Sequence, residues 1–185
     1  MAQISRAEQK EKVIEVLNKA RAHELHAIHL YMNQHYNLDN WDYGTMAVNV
    51  KLIAIDEMRH AEMLADRIEE LGGEPTTEPA VKSQTGQKVE VIFRFDANLE
   101  DETIASYNDY AAVCRENGDS ISMKLFEVLI DEEQIHYNYF DNVDTHIKNL
   151  DGTYLAQIAG SPSSTGLATQ GFVARQGGGA PQGGA

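Results

Sequence analysis

Ile55-Asp56-Glu57-Met58-Arg59-His60-Ala61-Glu62 and Asp131-Glu132-Glu133-Gln134-Ile135-His136 are the two stretches that decide the fold. Each holds a Glu-x-x-His motif inside a long run with few helix breakers. Residues 1–71 contain one glycine, Gly44, and no proline; residues 87–159 contain only Gly118 and Gly152. Such runs are what long helices require. Positions i and i+3 share one helix face. Both motifs also fall in phase with apolar stripes. Met46, Val50, Ile53, Leu64, Ile68 and Leu71 accompany the first; Phe126, Leu129, Phe140, Val143, Ile147 and Leu150 accompany the second. The Glu and His of each motif therefore point where a core is expected.

Working outward, four long helices emerge. Helix A runs from about Arg6 to Tyr36, opened by Ser5-Arg6-Ala7-Glu8, a capping box. Its stripe is Val13, Leu17, Ala20, Glu24, Ala27 and Tyr31. Helix B, from about Tyr43, stops at Leu71 before Gly72-Gly73. Helix C starts near Asn98 and ends at Asn117-Gly118, with Glu100, Ile104, Tyr107, Ala111 and Cys114 on one face. Helix D spans about Asp119 to Leu150, and a short helix E follows, from about Thr153 to Ala159. Between B and C, Val89, Val91, Phe93 and Phe95 alternate as a strand would. A lone strand has no partner, so the segment reads as extended chain lying over the bundle. Short A–B and C–D turns with a long B–C connection give an all-α four-helix bundle with one long crossover and a short fifth C-terminal helix. The bundle domain is residues 1–160. Residues 161–185, with seven of the 14 glycines, read as a low-complexity tail that buries no core.

Composition narrows the function. At 185 residues the chain is one ordinary domain. A single cysteine, Cys114, excludes a disulfide framework, a thiolate zinc cluster and an iron–sulfur cluster. A formal charge of -14 disfavours nucleic acid and favours cations as partners. No apolar run reaches the roughly 18 residues of a membrane span. The first residues lack a signal-peptide core, so the expectation is a soluble, cytoplasmic protein.

Six polar residues interrupt the core stripes: Glu24, Glu57, His60, Glu100, Glu133 and His136. Buried carboxylates repel one another and cost several kcal/mol each when unpaired, so positive charge must sit among them. A metal pair meets that demand, and the histidines favour iron, manganese or zinc over calcium or magnesium. Two Glu-x-x-His motifs plus one in-phase Glu on each remaining helix resemble the ligand set of ferritin-like di-iron and di-manganese proteins. Asp56, Glu132, Asp101 and Glu102 fall off phase and read as surface or cavity-wall charges. Tyr31, two turns after Glu24, reads equally well as a core tyrosine with a satisfied hydroxyl or as a group that donates a hydrogen bond to a ligand or passes an electron to the site. His23, His26 and His29 read as a partly exposed polar face, and Cys114 as a small core residue.

The Glu24 segment, Glu24-Leu25-His26-Ala27-Ile28, together with the two stretches quoted first, resembles the bacterioferritins over about residues 10–160. The resemblance implies a hollow shell of 24 copies that takes Fe(II), oxidises it at a di-iron centre with dioxygen or hydrogen peroxide, and stores a ferric mineral. It implies Glu24, Glu57 and His60 on one iron, Glu100, Glu133 and His136 on the other, and Glu57 and Glu133 as bridges. It also implies haem b or a related iron porphyrin, one per two subunits, held on a two-fold axis by Met58 from each chain. An electron-donor protein such as a ferredoxin or rubredoxin would then assist iron release. A peroxide-scavenging di-iron enzyme of the rubrerythrin type and a di-manganese catalase stay open on the residues alone, since spacing does not name the metal.

Overall fold

The computed structural model describes residues 5–163 and 171–176. Among the described residues six helices follow in order: α1 Arg6–Asn40, α2 Gly44–Glu70, α3 Val89–Glu116, α4 Ser120–Leu150, α5 Gly152–Ile158 and α6 Phe172–Arg175. α1 packs chiefly on α2 and α3 on α4, and the two hairpins close through α1–α3 and α2–α4 contacts. This is the expected bundle. The Ser5–Glu8 capping box forms as read, each side chain satisfying the other's backbone amide. Asp119 caps α4 by accepting from the Ile121 and Ser122 amides. Gly118 makes the α3–α4 turn at φ +75°, a conformation that L side chains rarely adopt.

The crossover runs beside α1 in the same direction. Thr76 N donates to Asn18 Oδ1 at 2.7 Å, Ala80 N to the Ala22 carbonyl at 2.8 Å, and Ser83 Oγ contacts His26 Nδ1 at 3.2 Å. Arg21 Nε donates back to the Thr76 carbonyl at 2.9 Å. These bonds satisfy an irregular backbone that has no ladder of its own.

Two expectations are corrected. Residues 89–97 are not extended; they are the first turns of α3. Val89, Ile92, Phe93, Asp96, Ala97 and Glu100 are buried, a spacing of three and one that only a helix produces, while Val91 is exposed. The tail is not free of the core either. Phe172 and Val173 are buried against α2 and α4. The remainder of the tail, 164–170 and 177–185, lies outside the described residues, as do the first four residues on which the signal-peptide reading rests.

The apolar core is in two pieces. One gathers Leu30, Tyr31, Met46, Ile53, Phe93 and Phe140. The other gathers Leu17, Leu64, Tyr107, Cys114, Phe126 and Leu129. Cys114 is fully buried in the second, as read, and burial pushes its thiol up to about 12. Inside the bundle, Gln34 Nε2 donates to Asp96 Oδ1 at 2.8 Å and to Gln87 Oε1 at 2.9 Å, whereas Gln34 Oε1 and Asp96 Oδ2 are buried without a hydrogen-bond partner among the described residues. Burial holds the Asp96 carboxyl well above the usual carboxylate range, and the Gln34 hydrogen bond, which favours the charged form, does not offset it.

Two measurements check this packing. A carboxyl with a raised folded pKa binds its proton more tightly in the fold than in the unfolded chain. Its stabilisation is complete below the unfolded value of about 3.9 and is lost as pH rises toward the folded value. Asp96→Asn is therefore expected to gain on the wild type in denaturation midpoint as pH rises above about 4; parallel profiles would show Asp96 ionised in the fold. A Cβ at Gly44 would fall 2.1 Å from the Ser161 carbonyl oxygen and 2.5 Å from Pro162 C. Gly44→Ala should cost about 1–3 kcal/mol by displacing the chain after α5, read by chemical denaturation.

Candidate metal centre

The structure brings all six sequence-singled residues into one layer between the two apolar clusters. Glu24 comes from α1, Glu57 and His60 from α2, Glu100 from α3, Glu133 and His136 from α4, and every one is buried. Ligand atoms of Glu24, Glu57, His60 and Glu133 all lie within 4.8 Å of one another; so do those of Glu57, Glu100, Glu133 and His136. Glu57 and Glu133 belong to both groups. His60 Nδ1 sits 3.1 Å from Glu57 Oε2 and 3.0 Å from Glu133 Oε1, and His136 Nδ1 sits 3.0 Å from Glu133 Oε2 and 3.2 Å from Glu57 Oε1. The two imidazoles stack, centroids 5.8 Å apart. Both Nδ1 atoms thus face the carboxylates, and both Nε2 atoms face away.

The layer repeats within the chain. Each member of one hairpin reappears 76 positions later in the other: Glu24 as Glu100, Tyr31 as Tyr107, Glu57 as Glu133, His60 as His136. The contacts cross between hairpins. Tyr31 donates to Glu100 Oε1 at 2.5 Å, and Tyr107 donates to Glu24 Oε1. Burial, then the carboxylate charges, push both phenols well above their usual pKa, so they stay protonated donors. Tyr31 is thus a core tyrosine whose hydroxyl is satisfied by Glu100.

Two residues read as surface or cavity-wall charges belong to this network. Glu132 Oε2 takes His60 Nε2 at 3.0 Å. Asp56, buried, places Oδ2 3.5 Å from His136 Nε2, longer than a formed hydrogen bond. Each stands one residue before a Glu-x-x-His motif, and they too are 76 apart. A carboxylate behind an imidazole orients the ring and raises its basicity. Asp101 and Glu102 are exposed, as read. His26 departs from the exposed-face reading: it is buried beneath the crossover at Ser83, while His23 is half-buried and His29 exposed.

Electrostatics state what the layer needs. Burial first, then the charges of Glu133 and Glu57, push Glu24 well above the carboxylate range; burial, then Glu57 and Glu133, do the same to Glu100. Burial opposes protonation of His60 and His136, but the surrounding carboxylates outweigh it and raise both. Burial likewise opposes ionisation of Glu133, yet the two histidines hold it well below its usual value. Glu57 Oε1 is buried with no hydrogen-bond partner among the described residues. The donor set, the orphaned oxygen and the demand for positive charge fit two divalent cations.

A cavity of about 290 Å³ leads here. Its walls include Glu24, Glu57 and Glu100 together with His23, His26 and Glu102. Burial lowers the pKa of both histidines, which favours neutral imidazoles; the His26 ring is already engaged at Nδ1 by Ser83 Oγ. Met58 is 53% exposed, turned out of the bundle beside buried Glu57.

Comparison with known proteins agrees with this geometry. A bacterioferritin of Desulfovibrio desulfuricans is 62% identical over 169 residues, 91% of this chain and 94% of that protein. One of Mycolicibacterium paratuberculosis is 31% identical over 157 residues, covering 83% and 97%. Among solved structures, the Desulfovibrio desulfuricans bacterioferritin, described with its di-iron site in different catalytic states, superposes with a TM-score of 0.88 at 61% identity, covering 92% of this chain and all of that one. A bacterioferritin of Mycobacterium tuberculosis gives 0.75 at 30% identity, covering 80% and 93%. With the ferritin-like domain matched across residues 14–150 and a paired-carboxylate layer at its centre, the chain belongs to the bacterioferritin family.

Proposed function

We propose that this protein is a ferroxidase and an iron store: it takes Fe(II) from the cytoplasm, oxidises it in the polar layer, and keeps it as ferric mineral inside a shell of 24 copies. The observation that carries this reading is the convergence of four carboxylates and two imidazoles into two overlapping groups that share Glu57 and Glu133. When bound, the iron pair supplies one electron from each ion to dioxygen or hydrogen peroxide. Everything else falls to the chain. Glu24, Glu57 and His60 would hold one ion and Glu100, Glu133 and His136 the other, with Glu57 and Glu133 common to both groups. Anionic ligands favour the ferric state. The Tyr31 and Tyr107 hydroxyls fix one carboxylate oxygen each on Glu100 and Glu24. Metal displaces protons from the raised histidines and carboxyls, so affinity falls as pH falls.

Haem is part of the same reading. An exposed thioether on α2, turned away from the core, suits a ligand shared between two copies across a two-fold axis. A methionine pair would raise the haem potential and offer a route for electrons from a donor such as a ferredoxin or rubredoxin.

Glu133→Ala removes a shared carboxylate. It should abolish rapid Fe(II) oxidation in stopped-flow absorbance while particle mass in light scattering is unchanged; oxidation at the wild-type rate would overturn the site assignment. Met58→Leu keeps volume and fold. It should lose the Soret band and slow reductant-driven iron release while leaving Fe(II) oxidation intact, and a full Soret band would place the axial ligand elsewhere.

A further inference from the structure

α6 is four residues long, far too short to persist alone, yet it is docked against α2 and α4. Phe172 and Val173 are buried, and the Phe172 ring lies 4.9 Å from that of Tyr139 and 6.5 Å from that of His136. Val173 N donates to Asp56 Oδ2 at 2.9 Å. The chain passes so close that a Cβ at Gly171 would fall 1.7 Å from Asp56 Oδ1. Arg59 Nη1 reaches that Oδ1 at 3.3 Å. The Asp56 carboxylate is therefore gripped on both oxygens, and Oδ2 is the atom that faces His136 Nε2.

The other hairpin is built differently. Glu132, the counterpart of Asp56, pairs with His60 Nε2 at 3.0 Å, and its side chain is 19% exposed. The tail contacts α2 and α4 at Asp56 and Tyr139, on the His136 side.

We propose that residues 171–175 form a strap that acts as a positioning element for one half of the metal centre: by holding Asp56 in place behind His136 it fixes that imidazole for its metal, while the His60 half is held without it. Removing the strap lets water and rotation take Asp56 away from His136. Loss of such an outer partner costs metal affinity by about 10–100-fold. The two metal positions, alike in their direct ligands, thereby differ in what secures them. This inference rests on the two-metal reading of the site.

The test uses the assembled full-length protein and Co(II) alone, titrated anaerobically and followed by visible absorption. His60→Ala and His136→Ala assign the two binding steps. Truncation after Ser163, Gly171→Ala and Phe172→Ala should each weaken the His136 step about tenfold or more and leave the His60 step unchanged. Phe172→Leu, which restores an apolar anchor, should recover the loss. Hydrogen exchange should show the Val173 amide protected in the wild type and unprotected in Gly171→Ala. Equal weakening of both steps, no weakening of either, or an unprotected wild-type Val173 amide would each overturn the strap. Two intact steps insensitive to the tail refute the strap alone, whereas no Co(II) binding by the wild type refutes the two-metal reading and the strap with it.

Discussion

Four carboxylates meet in the middle of this bundle, with two imidazoles grouped among them. In a low-dielectric interior their mutual repulsion amounts to several kcal/mol unless positive charge joins them. The rest of the architecture answers that condition. The polar layer cuts the core in two, so each half must bury enough apolar surface to stand on its own side of it. That requires helices of 27 to 35 residues, running well past the layer in both directions. It also explains the two tyrosines. A phenol that cannot ionise in its burial neutralises nothing, but it anchors a carboxylate oxygen that would otherwise drift toward its neighbours.

The constant register between hairpins shows how the condition is met twice with one pattern. Glu, Tyr, the acid before the motif, and Glu-x-x-His recur at one displacement, and the tyrosine and outer-acid contacts reach across to the opposite hairpin. Neither hairpin is complete by itself. The departure from symmetry is at the outer acids: a short aspartate under a buried strap in one half, a longer and partly exposed glutamate in the other.

The long helices, the crossover and the six convergent residues were legible because each depends on periodicity within a single helix. Asp56 and Glu132 were not, because phase on their own helix places them off the core face. Each is drawn in by an imidazole from another helix, whose far nitrogen reaches past the shared face. Their common place one residue before Glu-x-x-His was the available signal. Residues 89–97 misled for a related reason. Asp96 occupies a core position of α3, and a buried acid breaks the apolar period that would have marked the helix, leaving the alternation at Val89, Val91, Phe93 and Phe95 to stand out. The strap was hidden by composition. Two apolar residues in a glycine-rich tail carry no periodicity, and only their seat beside Asp56 gives them meaning.

The placement of sulfur has a consequence for durability. A protein that handles iron with oxygen or peroxide works beside reagents that attack thiolates and, more slowly, thioethers. The lone cysteine is sealed in the core cluster it shares with Leu17, Leu64 and Phe126, and with its thiol pushed up to about 12 it carries almost no thiolate at neutral pH. It is spared on two counts, access and ionisation. Met58 is exposed in the single chain and, on the proposed reading, gains cover only where a second copy and a haem close over it. Oxidative wear in this chain should therefore be recorded first as sulfoxide on Met58 in copies whose haem position is empty, a lesion that cells can reverse, and not as an irreversible loss in the core.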